Sequence, residues 1–438
     1  LGIRIENRHR HTQVDNSFTV QKEVTSWWLA GLGYRYSWLD GDSSSKLTPT
    51  DGTGQLTFGS AWSAGKLLLD EVWQMANANS QFLPFSQLAF TLGVQGQWKR
   101  QETFGDVNLD EIIDPTDPTA GVFRVPATER SLLDQAAAEE NVLLRYTGIA
   151  HTVLFAETRL KQEAYDRTAG QDNGPHAFQL GADAETRWQD TRVGFNTSPW
   201  RMVTVGGHYR RRDRETDYAY PLAQRDSAYP GFIQQRQTVT DEVEVRVSVA
   251  PATWWRGSVS YQIAGTDFHT TTGSTSPADF GPDFTPGGRH YAGRYLGHTV
   301  SGNITLAPFR RVTLSSTVSY QNSRTTTAAH SDAAVAPYRG DLWSVVSSIA
   351  YLLDEATELS VSHVFSEANY GQHHWDTGLP LGIDYQRQAV QAGVARRISK
   401  NVTARLQYGY FAYAEPSSGH LNDYTAHQVL ALVNVRLP

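Results

Sequence analysis

The stretch Glu242-Val243-Glu244-Val245-Arg246-Val247-Ser248-Val249 carries Val at every odd position and a charge or hydroxyl at every even one. A β-strand sends successive side chains to opposite faces, so this strand meets an apolar medium on one side and a polar one on the other. The pattern recurs along the chain. Leu88, Phe90, Leu92, Val94 and Trp98 alternate with Gln87, Thr91, Gln95, Gln97 and Lys99. Val312, Leu314, Ser316, Val318 and Tyr320 alternate with Thr313, Ser315, Thr317, Ser319 and Gln321. From Phe178, the apolar side reads Phe178, Leu180, Ala182, Ala184 and Trp188, and the polar side Gln179, Asp183, Glu185, Arg187 and Gln189. The chain closes on a Val429, Ala431, Val433, Val435, Leu437 stripe.

Composition narrows the architecture. The 438 residues are 39% hydrophobic, with 2 Met, 12 Trp and 20 Tyr, and the mean hydropathy is −0.44. That apolar share is below the roughly 45–50% of ordinary globular proteins. A wall with one apolar face and aromatic girdles needs few aliphatic residues but many Trp and Tyr. No apolar run approaches the roughly 18 residues of a membrane helix. With no cysteine, disulfides, thiolate metal sites, Cys nucleophiles and covalent c-type haem attachment are excluded for this chain. A net charge of −7 is not the basic footprint of a nucleic-acid binder. Leu1 opens no signal peptide, so the chain is expected to begin after processing or to be a fragment.

Hairpin second strands are expected to begin near Trp27, Leu88, Thr152, Trp200, Trp254, Val312, Leu359 and Val402, at roughly 45–65-residue spacing. One set of connections is short: Asn196 to Pro199, Ala250 to Thr253, Ala307 to Arg310, Leu353 to Ala356, Arg397 to Asn401. The other is long and rich in Gly, Ser, Thr, Asp and Pro, as in Gly105–Arg130, Asp217–Gln234 and Thr271–Gly293. Short turns at one rim and long loops at the other are the pattern of an outer-membrane barrel, with the short rim periplasmic. The expectation is one all-β domain over residues 1–438, a transmembrane antiparallel up-and-down β-barrel of about 16–18 strands. About 17 strands are readable by this pattern. An even number then requires either a strand before Leu1 or two short strands within Leu1–Val20. Gly105–Leu133 and Lys66–Ser80 fit least well, and Lys66–Ala76 reads as a plug, a loop helix or an irregular strand. A soluble β-propeller is the alternative, but its blades hold four short strands packed on both faces.

The whole chain resembles Gram-negative outer-membrane β-barrels of the porin kind. Ser198-Pro199-Trp200 followed by Gly207-His208-Tyr209-Arg210 and a charged rim, Arg211-Arg212-Asp213-Arg214, also looks like the barrels of porin–cytochrome electron conduits, the decahaem-associated family. That resemblance implies a barrel insulating a multihaem cytochrome, whose haem the partner would hold. The ending Arg436-Leu437-Pro438 departs from the terminal aromatic residue common in such barrels.

Two groups of residues are candidates for chemistry. The polar stripes place Glu157, Arg159, Asp183, Glu185, Arg187, Arg210, Arg212, Glu242, Glu244 and Arg246 on the lumenal face. Charge rings tune ion selectivity, and cross-strand pairing of opposite charges is their structural alternative. In Asp106–Asp117, the oxygen-bearing Asp106, Asn108, Asp110, Asp114 and Asp117 follow an EF-hand-like spacing suited to calcium in an extracellular loop. Glu111 stands where that loop requires Gly, and the alternative is a solvated acidic loop. His9, His11, His373 and His374 have no metal-binding spacing, and Ala61-Trp62-Ser63-Ala64-Gly65 only imitates a nucleophile elbow. Trp27, Trp28, Trp200, Trp254 and Trp255 read as a periplasmic aromatic girdle.

These features lead to a non-enzymatic pore or sheath in a Gram-negative outer membrane, in contact with lipid and lipopolysaccharide. The lumen holds water, or a multihaem cytochrome or other protein. An outer-membrane hydrolase, or a structural or adhesive cell-surface barrel working through its loops, is the alternative.

Overall fold

The computed structural model describes residues 2–50, 61–112, 122–172, 178–219, 233–273, 288–326, 338–372 and 381–435. Seventeen strands occupy nearly all of them. They are β1 (Gly2–Thr25), β2 (Trp28–Thr50), β3 (Ala61–Phe85), β4 (Leu88–Ile112), β5 (Val122–Ile149), β6 (Thr152–Asp172), β7 (Phe178–Trp200), β8 (Val203–Ala219) and β9 (Ile233–Ala252), continuing as β10 (Trp255–Thr272), β11 (Gly288–Phe309), β12 (Val312–Thr326), β13 (Tyr338–Leu352), β14 (Thr357–Gln372), β15 (Leu381–Arg397), β16 (Val402–Ala414) and β17 (Tyr424–Val435). Each strand pairs antiparallel with the next, from β1–β2 through β16–β17. Among the described residues the one helical element is a 3₁₀ turn, Pro416–Ser418.

Gly2–Thr25 is a single strand in unbroken register with β2 down to Glu23, so Leu1–Val20 does not hold two short strands. Lys66–Ala76 lies within β3 and pairs on both sides, which selects the strand among the three forms expected there. Among the described residues β1 and β17 are the sheet edges, and both run from the long-loop rim to the short-turn rim.

The wall is inside-out. On β9 the odd stripe is open, with Val243 44%, Val245 46% and Val247 41% exposed, while Glu242 on the other face is 6% exposed. The same holds elsewhere: Val94, Val259, Val300 and Val318 are exposed, whereas Ser37, Gln171, Thr186, Asp190 and Thr216 are buried. Curling a sheet crowds the side chains on its concave face, so the buried polar stripe is the inner one. Water cannot stabilise an outer surface of Val, Leu, Phe and Trp, but hydrocarbon can. The chain is a transmembrane β-barrel of the outer-membrane type.

The outer band has the right height. On β4 it runs from Leu88 to Trp98 before Arg100, ten steps of about 3.4 Å. Tilted by about 40°, that is roughly 25 Å across the membrane, the height of the apolar band in such barrels. Near its short-turn edge Trp27, Trp28 and Phe82 stack at 5.9–6.4 Å, and Trp200 and Trp254 are exposed. Toward the other edge Tyr320 packs against Trp343 at 4.6 Å, with the rings tilted by 35°, and donates to Asp341.

The short turns sit slightly later than the sequence suggested, at Arg201–Met202, Thr253–Trp254 and Arg310–Arg311. Proline is the reason. Pro84, Pro199, Pro251 and Pro308 each fall within a register shift just before a turn. A residue with no N–H cannot complete a ladder, so the slip is placed where the ladder is ending.

Candidate functional site: a charged lattice on the inner wall

Four neighbouring strands, β6 to β9, put a lattice of polar side chains on the inner face. One row runs Phe155, Gly194, His208, Glu244; the next Glu157, Arg192, Arg210, Glu242; the third Arg159, Asp190, Arg212, Thr240. Each row follows the inter-strand hydrogen bonds, so its members are direct cross-strand neighbours.

Acid and base interlock diagonally. Arg210 grips Asp190 with both prongs, Nε lying 2.8 Å from Oδ1 and Nη2 bonding Oδ2. Arg212 Nη2 lies 3.0 Å from Glu242 Oε2, and Arg246 Nη2 lies 3.1 Å from Glu244 Oε1. Arg159 stands 3.3 Å from Glu139 and 3.9 Å from Glu157. Asp190 and Glu242 are 8% and 6% exposed. A carboxylate so shielded is tolerable only when paired and hydrogen-bonded.

Arg192 is held differently. Its guanidinium lies 5.3 Å from the Phe155 ring centroid, a cation–π contact. Its Nη2 is 3.2 Å from His208 Nδ1. Because arginine only donates, Nδ1 is the acceptor and the ring proton sits on Nε2, 3.3 Å from Glu242 Oε1. Gly194 makes this packing possible: a Cβ there would lie 2.6 Å from Phe155 Cζ and 2.5 Å from the Gly207 carbonyl oxygen. Recesses of about 220 and 110 Å³ flank Arg192 on either side, the first beside His208 and Glu244, the second beside Glu157 and Asp190.

His208, Glu242 and Glu244 bring ligand atoms within 4.8 Å of one another. Arg212 and Arg246 already supply the positive charge a divalent ion would bring, and the His208 Nε2 proton faces Glu242. The arrangement is that of an ion-pair network. Its five arginines (Arg159, Arg192, Arg210, Arg212, Arg246) balance five carboxylates (Glu139, Glu157, Asp190, Glu242, Glu244). Within this network the two signs alternate, and Arg214 and Arg236 on the same face leave the wall with an excess of positive charge.

The structure places Glu157, Arg159, Arg210, Arg212, Glu242, Glu244 and Arg246 on this inner face. Asp183, Glu185 and Arg187 lie on the outer face instead, a correction to their expected lumenal position. They share parity with Val193 and Phe195, while Ala184 and Thr186 beside them are buried inside at 5% and 9%. Alternation alone misled, because this part of β7 rises beyond the apolar band; there the outer face is charged and small alanines fill the inner one. Asp190, Arg192 and His208 were missed. The short β7–β8 turn fixes a register in which Asp190 faces Arg212, and counting back from it finds them.

The calcium spacing also changes. Asp106, Asn108 and Asp110 sit in β4 opposite Thr128, Pro126 and Arg124. An extended run at roughly 3.4 Å per residue spreads these positions rather than wrapping them around an ion. Asp114 and Asp117 lie outside the described residues, as do His373 and His374. A depression of about 750 Å³ is formed mainly by outer-stripe residues, including Trp98, Arg100, Ala136 and Ala164. It is separate from the lattice.

No protein-family profile matches the chain, and no curated protein does. Solved structures similar to it include the ferric yersiniabactin uptake receptor FyuA from Yersinia pestis, at TM-score 0.48 and 7% identity over 98% of this chain and 77% of that one. The siderophore receptor PiuA from Acinetobacter baumannii is similar at TM-score 0.46 and 8% identity, over 99% and 82%. OmpT, an outer membrane protein of Vibrio cholerae, is similar at TM-score 0.29 and 11% identity, over 79% and 94%.

Proposed function

We propose that this barrel is a porin-like channel whose inner wall conducts small hydrophilic solutes across the outer membrane. The observation that carries the reading is the pairing of the lattice's carboxylates within the wall. Its carboxylates are answered by arginines of the same wall, from Arg210–Asp190 to Arg212–Glu242. A wall whose carboxylates are already paired needs no protein partner to neutralise them, and water suffices on its open side. Seventeen described strands approach the size class whose lumen holds an aqueous channel. Paired charges of both signs offer local attraction to either ion at each pair.

Planar-bilayer conductance of the purified barrel tests this. Steady ohmic channels in KCl are expected. A sealed barrel that co-purifies with haem absorbance would instead support the cytochrome sheath. Hydrolysis lost on replacing a Ser, His or Asp residue would support the enzyme, and surface binding lost on loop deletion would support the adhesin.

A further inference from the structure

The inner wall is divided. Opposite in character to the charged β6–β9 sector is the β11–β17 sector, where the inner stripe reads mostly Ser, Thr, Asn, Gln and Tyr: Thr299, Ser301 and Asn303 on β11, Ser319 and Gln321 on β12, Gln391 on β15, Gln407 on β16. Near its long-loop end this sector carries a run of inward tyrosines. Tyr424 and Tyr413 are direct cross-strand partners with ring centroids 5.5 Å apart. Tyr413 stacks on Tyr385 at 5.7 Å. Tyr370 stacks on Tyr338 at 6.3 Å and 9° between planes; Tyr385 faces Ala368, two residues from Tyr370, and Tyr295 and Tyr338 both face Thr325 of β12. The rings thus form an arc from β11 to β17, six strand intervals of about 4.8 Å, or roughly 29 Å.

We propose that this tyrosine arc is a binding track for linear oligosaccharides. A pyranose has apolar C–H faces and hydroxyl edges, and the arc offers the complement of both. Its rings form apolar surface with little conformational freedom to lose. Hydrogen-bonding groups border them: Gln321 Nε2 donates to Tyr295 Oη at 2.8 Å, and Tyr413 Oη donates to Glu415 at 2.6 Å. An apolar aromatic ligand calls for an enclosed pocket. Here the rings line an open wall, with Tyr424 51% and Tyr338 36% exposed. The length of the arc suits a chain of sugars lying across several rings, not one sugar. The inference rests on the open-channel reading, because a sugar reaches the arc through the lumen.

Calorimetric titration of the folded barrel in detergent with glucose, maltose and maltohexaose tests it, run beside conductance in salt alone. Binding is expected to strengthen with chain length. The Tyr385→Ala/Tyr413→Ala variant should bind maltohexaose at least tenfold more weakly. Tyr385→Phe/Tyr413→Phe keeps the rings and should stay within about threefold of the parent, which separates lost stacking from lost folding. Absence of maltohexaose binding to the folded parent, affinity independent of chain length, or unchanged affinity in the alanine variant would each overturn the proposal. A conducting barrel that binds no sugar sinks the arc and leaves the channel. A barrel that binds sugar without conducting sinks the channel and leaves the arc.

Discussion

Replacing Val245 by Arg puts a charge at the centre of the outer stripe. Val245 stands between Gly207 and Tyr261 in the ladder and is 46% exposed on the outer face. Four residues toward the short turn lies Val249, and four toward the loop rim lies Asp241, where the outer face turns polar. Val245 is therefore close to mid-membrane. An Arg there costs about 2–4 kcal/mol in transmembrane barrels, a roughly 30- to 700-fold loss in the folding equilibrium at 1.4 kcal/mol per tenfold. Val239 provides the control. It shares the outer face but lies beyond Asp241, opposite Asp213 and Asp267, so Val239→Arg should cost about 0–1 kcal/mol, as near an interface. Urea titration of both variants in phospholipid vesicles, followed by tryptophan fluorescence, gives the two values. Equal costs at the two depths would refute the membrane placement.

Glu242→Gln removes one carboxylate from the balanced lattice, leaving Arg212 unneutralised, and should move the reversal potential in a KCl gradient toward anion selectivity; an unmoved potential would remove the lattice from the conduction path. Gly194→Ala drives a Cβ into the Gly207 carbonyl and Phe155, an overpacking worth about 1–3 kcal/mol, whereas Gly302→Ala meets nothing within 4 Å and should be close to neutral in the same urea titration. At the β13–β14 turn the Ala356 N–H, 2.7 Å from Asp354 Oδ1, holds that carboxyl below its usual range. Its folded value being depressed, its support for the turn is complete above the unfolded value of about 3.9 and is lost as pH falls through the folded one. Asp354→Asn should flatten that acid dependence, measured by hydrogen exchange at Ala356.

Much of the wall was legible in the sequence, because a strand's period of two converts the Val243–Val249 stripe directly into a face. The two rims were legible too, since turn length is local. The upper part of β7 was not. Reading Ala182 and Ala184 as the lipid side assumes that lipid is present, and above the apolar band it is not. The direction of Asp183, Glu185 and Arg187 follows only from register with β8. The same gap hid Asp190 and Arg192, whose partners lie on other strands, and the tyrosine arc, whose members are scattered from Tyr295 to Tyr424 and meet only across the ladder. The Asp106–Asp110 spacing misled in the opposite sense: an oxygen pattern resembles a calcium loop whether the backbone wraps or extends, and β4 extends.

The chain has no cysteine, so single cysteines can be placed at each position from Glu242 to Val247 and spin-labelled in vesicles. Collision with lipid-soluble oxygen and with a water-soluble nickel chelate then reports the surroundings of each residue. The inside-out wall is expected to give strict alternation, with oxygen reaching positions 243, 245 and 247 and the chelate reaching 242, 244 and 246. Chelate access at both parities, or oxygen access at the even positions, would contradict it.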